Sequence, residues 1–374
     1  MLRVIGDTLA EDGHDVHVLS SLPSYRDGAV EQGVPRVEQL GDLTVRRVWV
    51  FAREKSSLLR RLANVLIYCS ALFYHVLRVR PDVITASTFP PVIAAWTSSL
   101  AARMIGADFV YHIQDIHPEL SIYSGGRLGR GLPSRILRGL DNQTLRRSAK
   151  IVTLSTDMVD TLRARGLGEL PVQIINNPPL NADVDRVRPP PELRKPKGTR
   201  RVIFAGNLGL FQNLPLLAEG VARCLPEQPE LELMFLGDGA ALPELNQKWG
   251  KHPQVRFVPF LPFSQARHLI AEADIGLVSL SPNIYRVAFP SKIATYRDLG
   301  LKVLALVEPE SQLARDLQQS GGGAVHNDAT PEAISDALQK LLSEPPSNTA
   351  TAKPFSSQHD AWRDIMESLE VVDR

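Results

Sequence analysis

The sequence predicts an α/β protein built of two doubly wound domains, each a largely parallel sheet covered by helices, and three observations predict it. Strand-like apolar runs alternate with helical patterns along almost the whole chain, as expected of parallel strands joined by crossover helices. At 374 residues the chain is too long for one ordinary core. The alternation breaks after residue 180 in "NADVDRVRPPPELRKPKGTR", rich in proline and charge and without apolar periodicity, which reads as a linker.

The elements follow in order. Residues 2–12 place Leu2, Ile5 and Leu9 at helical spacing. Strand candidates then lie at 15–21, 44–51, 82–87, 108–115, 150–155 and 172–178, with helical patterns at 57–79, 91–105, 133–148 and 157–165. A second series has strands at 201–206, 231–237, 254–260, 275–280, 303–308 and 323–326, again with helices between them. Thr330 followed by Pro331 is a good N-cap and N1 pair for the helix at 330–344. "PPSNTATAKPFSSQ" then breaks the pattern, and "HDAWRDIMESLEVV" reads as a detached last helix. The expected organisation is a first domain at 1–182, a linker at 183–199, a second domain at 200–345, and a tail at 346–374 whose helix packs back on the first domain. The default site is the cleft between the domains.

Composition excludes several classes. The formal net charge of +1 gives no global electrostatic reason to bind nucleic acid. Cys69 and Cys224 each sit in an apolar run and read as buried thiols in a reducing compartment, with no cysteine–histidine spacing for zinc. No basic n-region followed by an apolar h-region opens the sequence. Residues 53–80 complicate a soluble label: Arg53, Lys55, Arg60 and Arg61 precede a long apolar run, and Arg78 and Arg80 follow it. The run is short for a membrane span but suits a helix at a lipid surface. A core helix on a sheet fits equally.

"FAGNLGLFQNLPLLAEGVA" (204–222) leaves a strand through Gly206, Asn207, Leu208 and Gly209 and restarts as a helix. Glycines let backbone N–H groups approach an anion, and the helix start adds partial positive charge, so a phosphate is one reading. A strand-to-helix turn that binds nothing is the other. Asp115 ends a strand at the carboxyl edge of its sheet, where such folds place functional groups, and His117 follows it. "SGGRLGRG" (124–131) invites a phosphate reading but lacks the spacing of a known phosphate loop, so a surface loop is the better description.

The order of "LAEDGHDVHVLSSLPSY", "RSAKIVTLSTDMVDTLRARG", "IINNPPL", "FAGNLGLFQNL", "FLGDG", "ADIGLVSL" and "FPSKIATYRDLGLKVLAL" resembles the family 4 glycosyltransferases, notably bacterial enzymes of capsule, exopolysaccharide and O-antigen assembly. The resemblance covers nearly the whole chain. It implies two Rossmann-like domains facing each other across a cleft, the glycosyltransferase type B fold. It also implies metal-independent, retaining transfer of a sugar from a nucleotide-sugar donor, with UDP the first expectation for the carrier and no cofactor. The acceptor it implies is a glycan or polyprenyl-linked glycan. A cytoplasmic enzyme, peripheral on the inner membrane face through 53–80, follows from that. A sugar-nucleotide epimerase on the same fold, or a catalytically weak partner subunit, is the alternative.

The donor contacts implied are Gly206, Asn207, Leu208, Gly209, Gln212, Asn213, Gly237, Arg286, Ser291, Lys292, Thr295, Glu310 and Ser311, with Asp115 and His117 on the acceptor side as catalytic candidates. Relatives often carry an arginine and a lysine in the loop that here holds Asn207 and Gln212, so Arg286 and Lys292 are expected to supply the charge. With Pro290 at N1, Lys292 would lie in the first turn of a helix and oppose its dipole, a mild argument for a ligand. Two glutamates of the family pattern fall at Val287 and Thr295, neither acidic, so the ribose grip is altered or lost. Glu308 and Glu310 end the next strand and are placed to approach the donor. In the family a strand and a glycine-containing loop precede the first helix, and here Met1 already lies in that helix. The resemblance therefore implies that the first, central strand is missing, with low stability and weak activity as the expectation.

Overall fold

The computed structural model describes residues 2–22, 34–51, 57–126, 129–178, 189–344 and 356–370. The chain divides into two compact units, one of residues 1–178 with 355–374 and one of residues 179–354.

The first unit opens with α1 (Leu2–Glu11), whose buried side includes Ile5 and Leu9, and passes into β1 (Val16–Ser21). A hairpin of β2 (Val37–Leu40) and β3 (Leu43–Val48) follows; β3 pairs with β1 in parallel and with β2 antiparallel. The sequence gives no sign of β2, because its four residues VEQL are half-exposed and offer little period-2 contrast. The long helix α2 (Leu58–Val79) ends at Arg80 in a left-handed conformation, its N–H donating to Val76. Then come β4 (Val83–Ser87), α3 (Ile93–Ile105), β5 (Asp108–His112), α4 (Glu119–Tyr123), α5 (Gly131–Arg147), β6 (Lys150–Thr153), α6 (Thr156–Arg163) and β7 (Val172–Ile174). Strands β4 to β7 form a second, all-parallel sheet in sequence order. Among the described residues no strand pairs with the second edge of β1 or of β4, so the strands of this unit fall into two sheets. α13 (Ser356–Glu370) belongs to the same unit: Trp362, Ile365, Met366 and Leu369 pack with Ile5, Leu9, Val110 and Val152 in one apolar cluster. The strand expected over 108–115 ends at His112, so Asp115 lies on the loop beyond the sheet.

The second unit is a single six-stranded parallel sheet. Its elements are β8 (Arg200–Ala205), α7 (Leu214–Ala222), β9 (Leu231–Leu236), α8 (Leu242–Trp249), β10 (Val255–Val258), α9 (Phe263–Ala271), β11 (Ile275–Ser279), α10 (Lys292–Asp298), β12 (Lys302–Leu306), α11 (Gln312–Gln319), β13 (Gly323–Val325) and α12 (Pro331–Ser343). The strand order β10-β9-β8-β11-β12-β13 reverses direction at β8 and β11, the switch point where doubly wound sheets bind ligands beyond their carboxyl ends. β9, β11 and β12 are buried along their whole length, which explains their largely apolar sequences; the charged exceptions are paired, Glu232 with Arg201 and Lys302 with the Leu341 and Glu344 carbonyls. Arg53, Lys55, residues 183–188 of the expected linker, 345 at the end of the expected second domain, and 346–355 and 371–374 of the expected tail lie outside the described residues.

Candidate functional site

In the second unit the sequence-predicted residues gather at the carboxyl edge of the sheet. After β8 the chain passes Gly206, whose φ of +117° few side chains tolerate. Its N–H donates to the Leu236 carbonyl (2.8 Å), and the Leu208 N–H donates to that of Asp238 (2.9 Å), so the loops after β8 and β9 run together. A Cβ on Gly237, at φ +141°, would overlap the Gly206 carbonyl oxygen, so this approach requires glycine. Leu208 is fully buried and anchors the loop, whereas Asn207 is exposed. The Gly209 N–H meets Gln212 Oε1 at 3.4 Å, and Asn213, left-handed at φ 43°, donates through Nδ2 to the Asn327 carbonyl (3.0 Å).

Beneath this loop lies Lys292. Its Nζ is buried and has no hydrogen-bond partner among the described residues, although the residue as a whole is partly exposed. The Nζ sits 3.2 Å from the centroid of the Phe204 ring, and its Cε is 3.9 Å from where a Cβ on Gly206 would stand. Burial pulls its pKa well below the usual lysine range. A cation–π contact offsets only part of the cost of burying an ammonium. An anion arriving beside the glycine turn would favour the charged form of this amine.

The other expected donor residues are distributed less uniformly. α10 begins at Lys292, not at Pro290; the entry is a tight turn in which Ile293 donates to the Pro290 carbonyl and Ala294 to that of Ser291 (both 3.2 Å). Ser291 is the exposed N-cap and makes no side-chain cap bond. Arg286 is exposed, its guanidinium carbon 5.0 Å from the Tyr285 ring centroid. Thr295 is buried inside α10, and Val287 is fully buried. The Ser311 hydroxyl accepts the Ala314 N–H (3.1 Å) and donates to the Glu308 carbonyl (2.7 Å), which is the work of a helix cap. Glu310 is exposed, and its Oε1 accepts the Tyr285 hydroxyl (3.2 Å). The buried acid of this pair is Glu308, whose Oε1 accepts the Asn283 N–H (2.5 Å).

In the first unit, Asp115 and His117 share the loop that leaves β5. Burial raises the Asp115 pKa to about 6, so near neutral pH it is poised to take up a proton. Burial lowers His117 to about 4, against the pull of Glu119 and helped by Arg165, so its imidazole is neutral. His112 is likewise neutral, lowered to about 4 by burial; Gln114 hydrogen-bonds its Nε2, and its ring meets Trp362 edge to face. The loop is held by Arg165, a residue that sequence reasoning missed because a cation after a helix carries no local signal. Its guanidinium donates to both Glu119 oxygens (3.0 and 2.6 Å), to Asp141 (2.5 Å) and to the His117 carbonyl (2.9 Å). Among the described residues no group of three or more His, Cys, Asp or Glu is arranged to hold a metal ion.

Residues 2–178 match the family model of the glycosyl transferase 4-like domain, and residues 199–344 match that of the glycosyl transferases group 1. A probable glycosyltransferase WbjE of Pseudomonas aeruginosa is 23% identical over 254 residues, 65% of this chain. The chain spans 62% of the length of that relative. WaaG, a glycosyltransferase involved in lipopolysaccharide biosynthesis, superposes with a TM-score of 0.66 at 16% identity, covering 99% of this chain and 94% of its own. Anabaena Alr3699/HepE, solved with UDP, gives 0.61 at 14% identity over 87% of each chain. At these identities the two structures speak for the fold alone.

Proposed function

We propose, from the premise that the chain belongs to the glycosyltransferases of the type B fold matched by those two domain families, that it is a retaining enzyme transferring a sugar from a nucleotide-sugar donor to a glycan or polyprenyl-linked acceptor in cell-surface polysaccharide synthesis. The observation that carries the donor half of this reading is the buried Lys292 Nζ beneath the Gly206 turn, without a hydrogen-bond partner among the described residues. In the transfer, the bond from the anomeric carbon to the donor phosphate breaks and a bond to the acceptor oxygen forms. The acceptor proton passes to the departing diphosphate. Negative charge grows on that diphosphate, and an ammonium already desolvated and fixed at its side stabilises the transition state more than it would in water. Asp115 and neutral His117 serve to orient the acceptor hydroxyl. UDP is the expected carrier, and UDP bound to the similar Anabaena protein supports that choice.

The experiment is a thermal-shift screen with nucleoside diphosphates and their sugars. A ligand at 100 times its Kd stabilises the native state by about 2.7 kcal/mol, an easily read rise in melting temperature. Absence of a shift with every nucleotide tested would overturn the reading and favour a partner subunit without a donor grip, as Val287 and Thr295 suggest.

The membrane half rests on α2. It is long and apolar enough to cross a bilayer by length and composition, with a mean hydropathy of 1.5, yet only 22% of that window is buried. Asn64, Cys69, Leu72 and Val76 face the protein, and Asn64 exchanges hydrogen bonds with both backbone groups of Phe51 (2.7 and 2.9 Å). Leu59, Leu62, Leu66 and Tyr74 form an exposed stripe on the opposite side, with Arg60, Arg61, Arg78 and Arg80 exposed near its ends. A half-buried helix of this kind suits the interface of an anionic bilayer rather than a span. The protein is expected to sediment with anionic vesicles, with partial release by salt, and Leu62→Ser with Leu66→Ser is expected to weaken sedimentation severalfold. Equal recovery of both forms in the supernatant would leave α2 as a helix of the protein alone.

A further inference from the structure

We propose that the corner where α4 meets the start of α5 is a second lipid-docking point, which sinks Leu132 and Ile136 into an anionic bilayer and seats the first unit on the membrane together with α2. The inference rests on the lipid-surface reading of α2 above. α5 turns Asp141, Thr144 and Leu145 inward, so a polar outer side is expected of it. Instead its first two turns expose Leu132 (68%) and Ile136 (53%), four residues apart on one face. At the end of α4, Ile122 (44%) and Tyr123 (38%) are exposed as well. The glycines of 124–131 bring the two helix ends together. Gly125 and Gly131 are left-handed, at φ +71° and +64°. The Gly126 N–H donates to the Ser121 carbonyl (2.8 Å), and a Cβ on Gly129 would stand 2.5 Å from that oxygen and 2.6 Å from the Ile122 nitrogen. The chain is thus pressed against the end of α4 just before α5 begins, and these glycines serve close packing. Four large apolar side chains exposed at one corner mark an interaction site, where single ones would not.

Charge selects the occupant. The acids of α2, α3, α4 and α5 are Glu119 and Asp141, both buried and both bonded by Arg165. The exposed charges of these four helices are therefore all arginines: Arg103 on α3 and Arg135, Arg138 and Arg146 on α5 join those of α2. An anionic bilayer meets such a face with negative headgroups and apolar chains at once. Tyr123, apolar with a polar tip, suits the level between them. The corner is also continuous with the first lipid-facing element. α3 packs between α2 and α5, and Trp96 Nε1 donates to Gln143 Oε1 on α5 (3.1 Å), so the three helices form one layer. A single helix lying on a plane leaves the body free to roll about it, and a second point on the same layer fixes the tilt. α4 follows directly on the loop that carries Asp115 and His117. Docking at its end brings that loop towards the headgroups, where the sugar of a lipid-linked acceptor lies.

The test is sedimentation of the full chain with vesicles of phosphatidylglycerol and phosphatidylethanolamine, together with an environment-sensitive fluorophore on Leu132→Cys. Cys69 and Cys224 are buried, so the label goes to position 132. The fluorophore is expected to brighten and shift to the blue on vesicle addition. Leu132→Ser with Ile136→Ser is expected to lower the partition coefficient about five- to tenfold. Vesicles of phosphatidylcholine alone are expected to bind the wild type severalfold less. Wild-type binding that the serine pair leaves unchanged overturns the proposal, and so does a label whose emission stays as in water on the bound protein. In either case the α2 reading stands or falls separately, on Leu62→Ser with Leu66→Ser. Equal binding to anionic and neutral vesicles removes the charge argument and overturns the assignment to an anionic surface. Failure of the wild type to bind any vesicle overturns the α2 reading and this one with it. A dimer that forms without lipid and is abolished by the serine pair assigns the corner to a second copy of the chain and overturns the proposal as well. Should the serine pair not fold, the labelled variant alone decides.

Discussion

Replacing Arg165 by alanine is expected to cost the first unit about 3–5 kcal/mol, the scale on which a buried charge cluster responds to losing one partner. Glu119 and Asp141 are 5% and 2% exposed and both bond the one guanidinium. Burial pushes Asp141 above the usual carboxylate range even against Arg165 and the Tyr111 hydroxyl, which donates to it at 2.7 Å. Burial alone would lower Arg165, but Asp141 and Glu119 outweigh it and hold it above its ordinary value. Without the arginine, Asp141 must take up a proton or draw water inside, while Glu119 keeps its ion pair with Arg138 (3.1 Å). A carboxyl whose folded pKa is raised costs stability as pH rises through that pKa, so the deficit of Arg165→Ala should shrink on acidification and be largest at neutral pH. Arg165→Lys restores the charge but cannot reach Glu119, Asp141 and the His117 carbonyl with one planar fork, and should recover only part of the loss. Urea unfolding followed at pH 5 and pH 7.5 reads all three expectations. A loss below about 1 kcal/mol for the alanine variant would mean that solvent already reaches the cluster.

That cluster marks the limit of what the sequence discloses. Strands such as "VIFA" (202–205) and "LMFL" (233–236) are legible because both faces are buried, leaving an unbroken apolar run that needs no alternation. β2 is not legible, since a short half-exposed strand looks like a loop. Lys292 is legible as a residue out of place, a cation where a helix begins. The choice between Glu308 and Glu310 is not, because two residues apart they differ only in which one the Asn283 turn, 25 residues upstream, meets. Ser311 shows the reverse: its position before a helix points to a cap as readily as to a ligand, and both hydrogen-bonding capacities of its hydroxyl go to the cap. The Arg165 contacts span up to 48 residues of sequence, and no local pattern encodes such a meeting.

Lys292→Met is expected to raise the melting temperature of the ligand-free protein and to abolish most of the thermal shift caused by nucleoside diphosphates. The two effects have one cause. Nothing described in the structure pairs with the Nζ, so the fold carries the cost of a desolvated ammonium in order to keep it ready for an anion. Methionine fills the space over Phe204 without that cost, and replacing a strained functional group in this way gains about 1–2 kcal/mol. Because the lysine pKa is depressed in the folded state, its cost is present at neutral pH and fades as pH rises toward the unfolded value. The advantage of methionine should therefore be larger at pH 6.5 than at pH 10. On the ligand side, losing a charge-assisted contact to the diphosphate removes about 1.5–3 kcal/mol of binding, roughly ten- to a hundredfold in Kd. Parallel melts of both proteins, with and without UDP and at both pH values, separate the two effects. An undiminished UDP shift in the variant would remove Lys292 from the donor site. A variant less stable than the wild type without ligand would show instead that the lysine is held by the fold for its own sake.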